Sequence, residues 1–599
     1  MSWFCRNAVN VGIRLRSRGD WGETMVNVED PTGGKRGVVA GWLGFLLLLT
    51  LFLDGPFALA ADVEHTAVTD EMLLNAQADT KNWLTYGKHY SNTRYVTSKQ
   101  INAQNVRTLV PRWVYQTGGP IGSFETTPLV VDGVMYLTTP FNHAIALDAR
   151  TGKQLWRYEH KMGAPPAICC GPNNRGVAVA YGRVYMATLD GYLIALDQKT
   201  GKVVWDVEMA DASAGHSFTL APLAYKGMII VGPSGGEYGI RGFADAYDAT
   251  DGKRLWRFWT LPETGWEGKW SPTTPEGEKL NRNIKKEQAD FDKYKDAWQR
   301  GGGGVWMTPA VDPETDTLFI MVGNPSPDFD GEVRPGDNLY TESMVALDVK
   351  TGTYKWHYQY IPHDVWDLDA VSPAVLFETT VDGRRVKAVG HAGKTGWFYI
   401  HDRATGKLIR KSEAFVPQEN MFAPPTPEGT RMLPGANGGS EWSPVAYSPD
   451  TEMVYVSALH QPMLYTTHPA PHEKGRMWLG SAFSSIPTVE QWGIFTAIDV
   501  NTGKIAWQNK LPDPLIGGAL ATAGGVVFTG GDSTGNFYAF NAKTGKELWR
   551  FQCGAGVNAA PMSFEVDGEQ FIAVAVGGSV QVRYRYGDTV FVFGLPKKP

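Results

Sequence analysis

The chain is 599 residues long, 20% charged, 43% apolar, with net charge −6 and four cysteines. That length is enough for several domains, so a single one needs a repeat architecture to explain it. Residues 1–60 hold six Lys/Arg and five Asp/Glu, which leaves −7 on the rest with no basic block, and this argues against a nucleic-acid partner.

Lys35 and Arg36 precede an uncharged apolar run over residues 38–53, and Ala58-Leu59-Ala60 follows. Basic, apolar and small residues in that order make a secretory signal peptide over residues 1–60, with Met25 as an alternative start. A retained membrane anchor is the competing reading, although the run is short for a bilayer span. Export places the remaining residues, 61–599, in the periplasm and permits disulfides.

Residues 109–115, with Trp113, read as a terminal strand. One phrase then recurs, Ala-Leu-Asp-x-x-Thr-Gly-Lys-x-x-Trp, first at Ala146 to Trp156 and again at Ala195 to Trp205. Further copies end at Trp256, Trp356, Trp507 and Trp549, and a degenerate one, His401 to Arg410, lacks its Trp. Alternating apolar residues form a strand, Asp-x-x-Thr-Gly turns it, and a second strand ends on the aromatic. Short apolar strands before most copies bring the total to roughly four per repeat. The expected fold is all-β, a single eight-bladed β-propeller whose Trp-ended blades lock on their neighbours. Two long loops interrupt it. One spans about residues 262–304, with a surface helix expected at 283–300, and an irregular one spans about 415–439.

Cys169 and Cys170 are adjacent. Neighbouring Cα atoms lie about 3.8 Å apart, whereas an unstrained disulfide needs about 4.4–6.8 Å. Two readings stand: a pair of reduced core residues, or a strained, rigid bridge. Cys553 reads as a buried small residue. Glu237, Asn324, Asp367 and Asp369 fall outside the repeat phrase and are of the oxygen-ligand type that hard cations take. Only a ring could bring such distant residues together.

The marks Cys169-Cys170 with Arg175-Gly176, Ser234-Gly235-Gly236-Glu237, Gly302-Gly303-Gly304-Val305-Trp306, Gly323-Asn324-Pro325 and Pro362-His363-Asp364-Val365-Trp366-Asp367 occur in one order. In that ordered set, over about residues 75–595, the sequence resembles the pyrroloquinoline quinone (PQQ)-dependent alcohol dehydrogenases, which include the methanol dehydrogenases. The resemblance implies a vicinal disulfide of Cys169 and Cys170 over one face of PQQ and Trp306 under the other. It implies Arg175 on the cofactor carboxylates and Glu125, Thr219, Ser234, Gly235 and Gly236 around its rim. Lys394 would stand where many relatives have Arg. Glu237, Asn324 and Asp367 would bind the metal, and Asp367 would be the catalytic base.

Asp369 stands where calcium-dependent methanol dehydrogenases have a small neutral residue and lanthanide-dependent ones have Asp, which points to a lanthanide ion; calcium is the alternative. Glu441-Trp442 and Ile516-Gly517-Gly518 depart from the pattern, so methanol is not assigned. No Cys-x-x-Cys-His occurs, so electrons are expected to leave to a separate periplasmic cytochrome c. The substrate class is a small alcohol, a primary alcohol first, with sugars or polyols as the alternative; a homodimer is compatible with the family. A non-catalytic scaffold of outer-membrane assembly shares the repeat but does not need the cysteine pair, Trp306 or the acids. His363 reads as structural.

Overall fold

In each repeat the Asp, or Asn541 in the copy that ends at Trp549, caps its own turn. Asp197 Oδ1 accepts the Thr200 N–H at 2.9 Å and the Thr200 hydroxyl at 2.7 Å, and its carbonyl accepts the Gly201 N–H at 2.9 Å. Gly201 has φ +67°, and a Cβ there would lie 2.6 Å from the ring of Trp156. The glycine is therefore needed twice, for the left-handed turn and as the seat of the preceding repeat's tryptophan. Trp156 Nε1 also donates to Gln198 O at 3.0 Å.

This seat passes from sheet to sheet in the computed structural model of the chain, which describes residues 65–163, 168–531 and 533–597. Trp113 donates to Ala149 O, Trp256 to Val349 O and Trp507 to Ala542 O, each at 3.0–3.1 Å. Trp549 donates to Leu109 O at 3.3 Å, which returns the series to its start. Where the phrase has lost its Trp, Arg410 donates to Val500 O at 2.7 Å and takes over the link. The signal segment, with Met25, lies outside the described residues.

The chain is an all-β propeller. Among the described residues there are seven four-stranded sheets, one of five strands and one of three. The strand Val110–Gln116 pairs antiparallel with Thr589–Gly594, so the N- and C-terminal ends of the fold share one sheet. A small cluster of Tyr86, Ala221, Met307, Val371, Trp442, Ile516 and Tyr584 draws on loops of several sheets and supports the site from below.

Two local expectations change. The helix expected over 283–300 is an α-helix only at Ile284–Asp290; 3₁₀ turns at Phe291–Tyr294 and Ala297–Arg300 continue it. Packing accounts for the tightening, because Phe291 stacks on Trp266 and meets Trp270 edge-on. The irregular stretch 415–439 contributes a strand, Thr430–Met432, which pairs with Met463–Thr467; Ser481–Ser485 completes the three-stranded sheet. That sheet lines one side of the site.

Candidate active site

In an antiparallel sheet, the start of the first strand and the end of the second lie at the same end. The chemistry-bearing residues sit at those two places. Glu125, Thr219, Trp306 and Asp369 precede first strands; Glu237, Asn324 and Lys394 follow second ones. They meet at a cavity of about 630 Å³.

Cys169, Cys170, Arg175, Thr219 and Trp306 line one part of it. Ser234, Gly235, Glu237, Asp367, Asp369 and Lys394 line another. Glu125, Gly236 and Asn324 stand behind this surface. Glu125 is buried against Arg175, at 2.8 Å from Nη2. Gly236 backs onto Asn324, where a Cβ would meet Oδ1 at 2.9 Å, so it acts as a close-packing glycine and not a rim contact. The Asn324 N–H donates to Asp369 Oδ1 at 2.6 Å.

The Arg175 end is built for a flat anion. Nη1 donates to Thr219 Oγ1 at 2.9 Å, and the guanidinium lies 5.1 Å from the Trp306 ring and 4.7 Å from Trp442. Arg175 Nε and Trp442 Nε1 are buried donors with no hydrogen-bond partner among the described residues. Unmet donors beside two aromatic faces suit a planar ring bearing carboxylates.

The adjoining part of the lining is acidic. Lys394 Nζ lies 2.8 Å from Asp369 Oδ2, 3.3 Å from Asp367 Oδ2 and 3.9 Å from Glu441 Oε1. Burial alone would lower the lysine; Asp367 and Asp369 outweigh it and hold Lys394 firmly protonated. Burial raises Asp367 well above the usual carboxylate range, and Asp369, Asp328 and Glu237 add to it as like charges. Burial likewise raises Glu237, Asp328 and Glu441. One ammonium among so many carboxylates leaves an excess of negative charge that a multivalent cation would balance.

Asp367 sits at φ +58°, a left-handed conformation uncommon for a non-glycine residue. Asp364 holds it there, with its carboxylate accepting the Trp366 N–H at 3.3 Å and the Asp367 N–H at 2.9 Å. His363 is structural, its Nδ1 2.8 Å from Gly336 O.

The cysteine pair departs from expectation. Cys169 and Cys170 are separate thiols in the structure, with sulfurs 2.8 Å apart, not the expected disulfide. The acids are not closed into a cage: among the described residues, no three His, Cys, Asp or Glu side chains form a metal-holding group. Glu237 lies on one loop and Asp367 and Asp369 on another, and the Lys394 ammonium occupies Asp369 Oδ2.

Sequence reasoning missed Asp328, Ser217 and the platform role of Trp442. Ser217 Oγ meets Ser234 Oγ at 2.8 Å across an isolated bridge. Neither serine nor aspartate stands out in a loop until the fold brings it to the cavity.

Residues 83–421, 410–484 and 476–572 match the family described as "PQQ: Glucose/ethanol/alcohol dehydrogenase, beta-propeller domain". The chain belongs to the PQQ-dependent alcohol dehydrogenase family. This PQQ-dependent enzyme is similar to the quinoprotein alcohol dehydrogenase PedH of Pseudomonas putida, with 36% identity over 90% of this chain and 95% of that one. A quinohemoprotein alcohol dehydrogenase of Comamonas testosteroni is 36% identical over 87% of this chain and 76% of its own. Among solved structures, a europium-containing methanol dehydrogenase superposes with TM-score 0.77 at 30% identity, covering 88% of this chain and 100% of the other.

Proposed function

We propose that the chain oxidises a primary alcohol to its aldehyde in the periplasm, with PQQ and a lanthanide ion in this cavity and a separate cytochrome c as electron acceptor. The scaffold is read as an eight-bladed single domain over residues 61–599 behind a cleaved signal peptide, which the eight sheets of four or five strands support. One observation carries the reading: aromatic faces, a guanidinium and a set of carboxylates line one cavity.

Arg175, Thr219 and Ser234 would hold the cofactor rim, with Glu125 fixing Arg175. Trp306 and a bridged Cys169–Cys170 pair would hold its two faces. Glu237, Asn324, Asp367 and Asp369 would hold the ion. When bound, PQQ supplies a two-electron acceptor and the ion a Lewis acid. Asp367, whose carboxylate lines the cavity, takes the hydroxyl proton of the alcohol. Asp364 aims that carboxylate, and Lys394 braces it through the Asp367 carbonyl at 3.0 Å. Asp369 supports the lanthanide assignment, since a trivalent ion gains from one more hard carboxylate. The europium neighbour supports it too.

Purified protein loaded with PQQ and either lanthanum or calcium, assayed with an artificial dye over short alcohols, aldehydes and sugars, tests the reading. Turnover of a primary alcohol with lanthanum supports it; full activity with calcium alone contradicts the lanthanide assignment.

A further inference from the structure

Asp328 lines the cavity and is 1% exposed, and its Oδ1 has no hydrogen-bond partner among the described residues. A buried carboxylate oxygen without a donor is costly, because the desolvation of a charged group goes unmet. The nearby cations do not meet it. Arg334 spends its N–H groups on Pro327 O at 3.0 Å, Asp328 O at 3.3 Å, Asn338 Oδ1 at 2.6 Å and Asp364 O. Lys394 is committed to Asp369 and Asp367. The backbone around Asp328 is fixed as well: its carbonyl is one of the Arg334 acceptors, and the Phe329 N–H donates to Leu479 O at 2.9 Å. The side chain is thus held on the wall of the cavity by groups that leave its carboxylate unused.

Leu479 also lines the cavity, and so do Met477 and Phe483 from the same capping segment, at 45% and 38% exposure. Asp328 is tied through the Phe329 N–H to Leu479, whereas Asp369 is bonded to the Asn324 N–H and Lys394. Elsewhere on the lining, Gln581, Asn437, Gln461 and Gln491 form an unbroken chain of amide hydrogen bonds, at 3.0, 2.5 and 2.9 Å. A small alkyl alcohol offers such walls nothing beyond its reacting hydroxyl. An alcohol with further hydroxyls offers donors.

We propose that Asp328 is a specificity-determining residue that accepts a hydrogen bond from a second substrate hydroxyl, so that the enzyme selects diols and polyols over the matching simple alcohols. The inference rests on the alcohol-dehydrogenase reading of the same cavity and names its substrate class. A site built to bond a substrate hydroxyl discriminates against the analogue lacking it, because the buried acceptor is then left unpaired.

The test uses full-length exported protein loaded with PQQ and lanthanum, with kcat and KM measured on 1-propanol, 1,2-propanediol, 1,3-propanediol and glycerol. The wild-type protein is expected to favour at least one of the hydroxylated substrates over 1-propanol. Asp328→Leu should lower the ratio of kcat/KM on that substrate to kcat/KM on 1-propanol by about 10-fold, the worth of one buried hydrogen bond, mostly through KM. Asp328→Asn keeps an acceptor oxygen at the same place and should restore most of the ratio. Thermal melting and PQQ content of both variants separate misfolding from lost selectivity. An unchanged ratio in Asp328→Leu, equal losses on all four alcohols, or a wild-type preference for 1-propanol overturns the inference while leaving the dehydrogenase reading intact. Wild-type protein that binds PQQ yet oxidises none of the four overturns both.

Discussion

Lys394 Nζ stands 2.8 Å from Asp369 Oδ2, so the one lysine in the cavity is paired with the carboxylate assigned to the metal's extra ligand. The ammonium and a multivalent ion therefore stabilise the same acids. Lys394→Met should destabilise the metal-free protein by about 3–5 kcal/mol, the cost of stranding a buried charge. Lanthanum should recover much of that loss. Thermal melts with and without lanthanum check both parts.

Asp369→Ala removes one hard oxygen and leaves the Asn324 N–H without its acceptor. Lanthanide affinity should fall at least about tenfold, the worth of a group that holds or orients around the metal, while the metal-free protein should lose about 1–3 kcal/mol, the cost of one buried unmet donor. Terbium luminescence titration of the two proteins measures the first and calorimetry the second.

Cys169 and Cys170 have adjacent sulfurs at 2.8 Å on the cavity wall. Oxidation in the periplasm is expected to join them. Of the three cysteines that follow residue 60, one should react with a thiol reagent in denatured, unreduced protein and all three after reduction. Three reactive thiols before reduction would show that the pair stays open.

The buried histidines contribute stability that acid removes from about pH 6.5 downward. Burial pushes His89, His363 and His391 down to about 3 and His357 and His401 to about 4, from 6.5. The unfolded chain then binds protons that the folded one refuses, so stability is full above 6.5 and is lost as pH falls through the window. Glu125 and Asp364, raised by burial to about 7, act in the opposite sense: their contribution is full below their unfolded values near 4 and is lost as pH rises to about 7. Glu237, Asp328, Asp367 and Glu441, also raised by burial, act in that same opposite sense. A single replacement isolates one histidine's share: in melts from pH 4 to 8, His391→Gln should lower the slope of stability against pH below 6.5 by about one proton relative to the wild type.

The repeat was readable because its causes are local. Asp197, Thr200 and Gly201 make their turn from neighbouring atoms, and the Trp at the end of each phrase needs only the next turn's glycine as its seat. That Arg410 would replace a tryptophan by bonding Val500 O was not readable, since the acceptor lies 90 residues away. The cavity divides in the same manner. Asp367 and Asp369 stood out as a motif that resembles a family. Asp328, in an ordinary Ser-Pro-Asp turn, and Trp442, beneath Arg175, take their roles from loops of other sheets, which no spacing along the chain records.

The most direct test of the account is anomalous diffraction from crystals of the protein loaded with PQQ and lanthanum. The account predicts one strong peak at about 2.3–2.6 Å from oxygens of Glu237, Asn324, Asp367 and Asp369, the usual range for a large hard cation, with planar density between Trp306 and the cysteine pair. A peak elsewhere, or bound PQQ with no ion among those four residues, would contradict it.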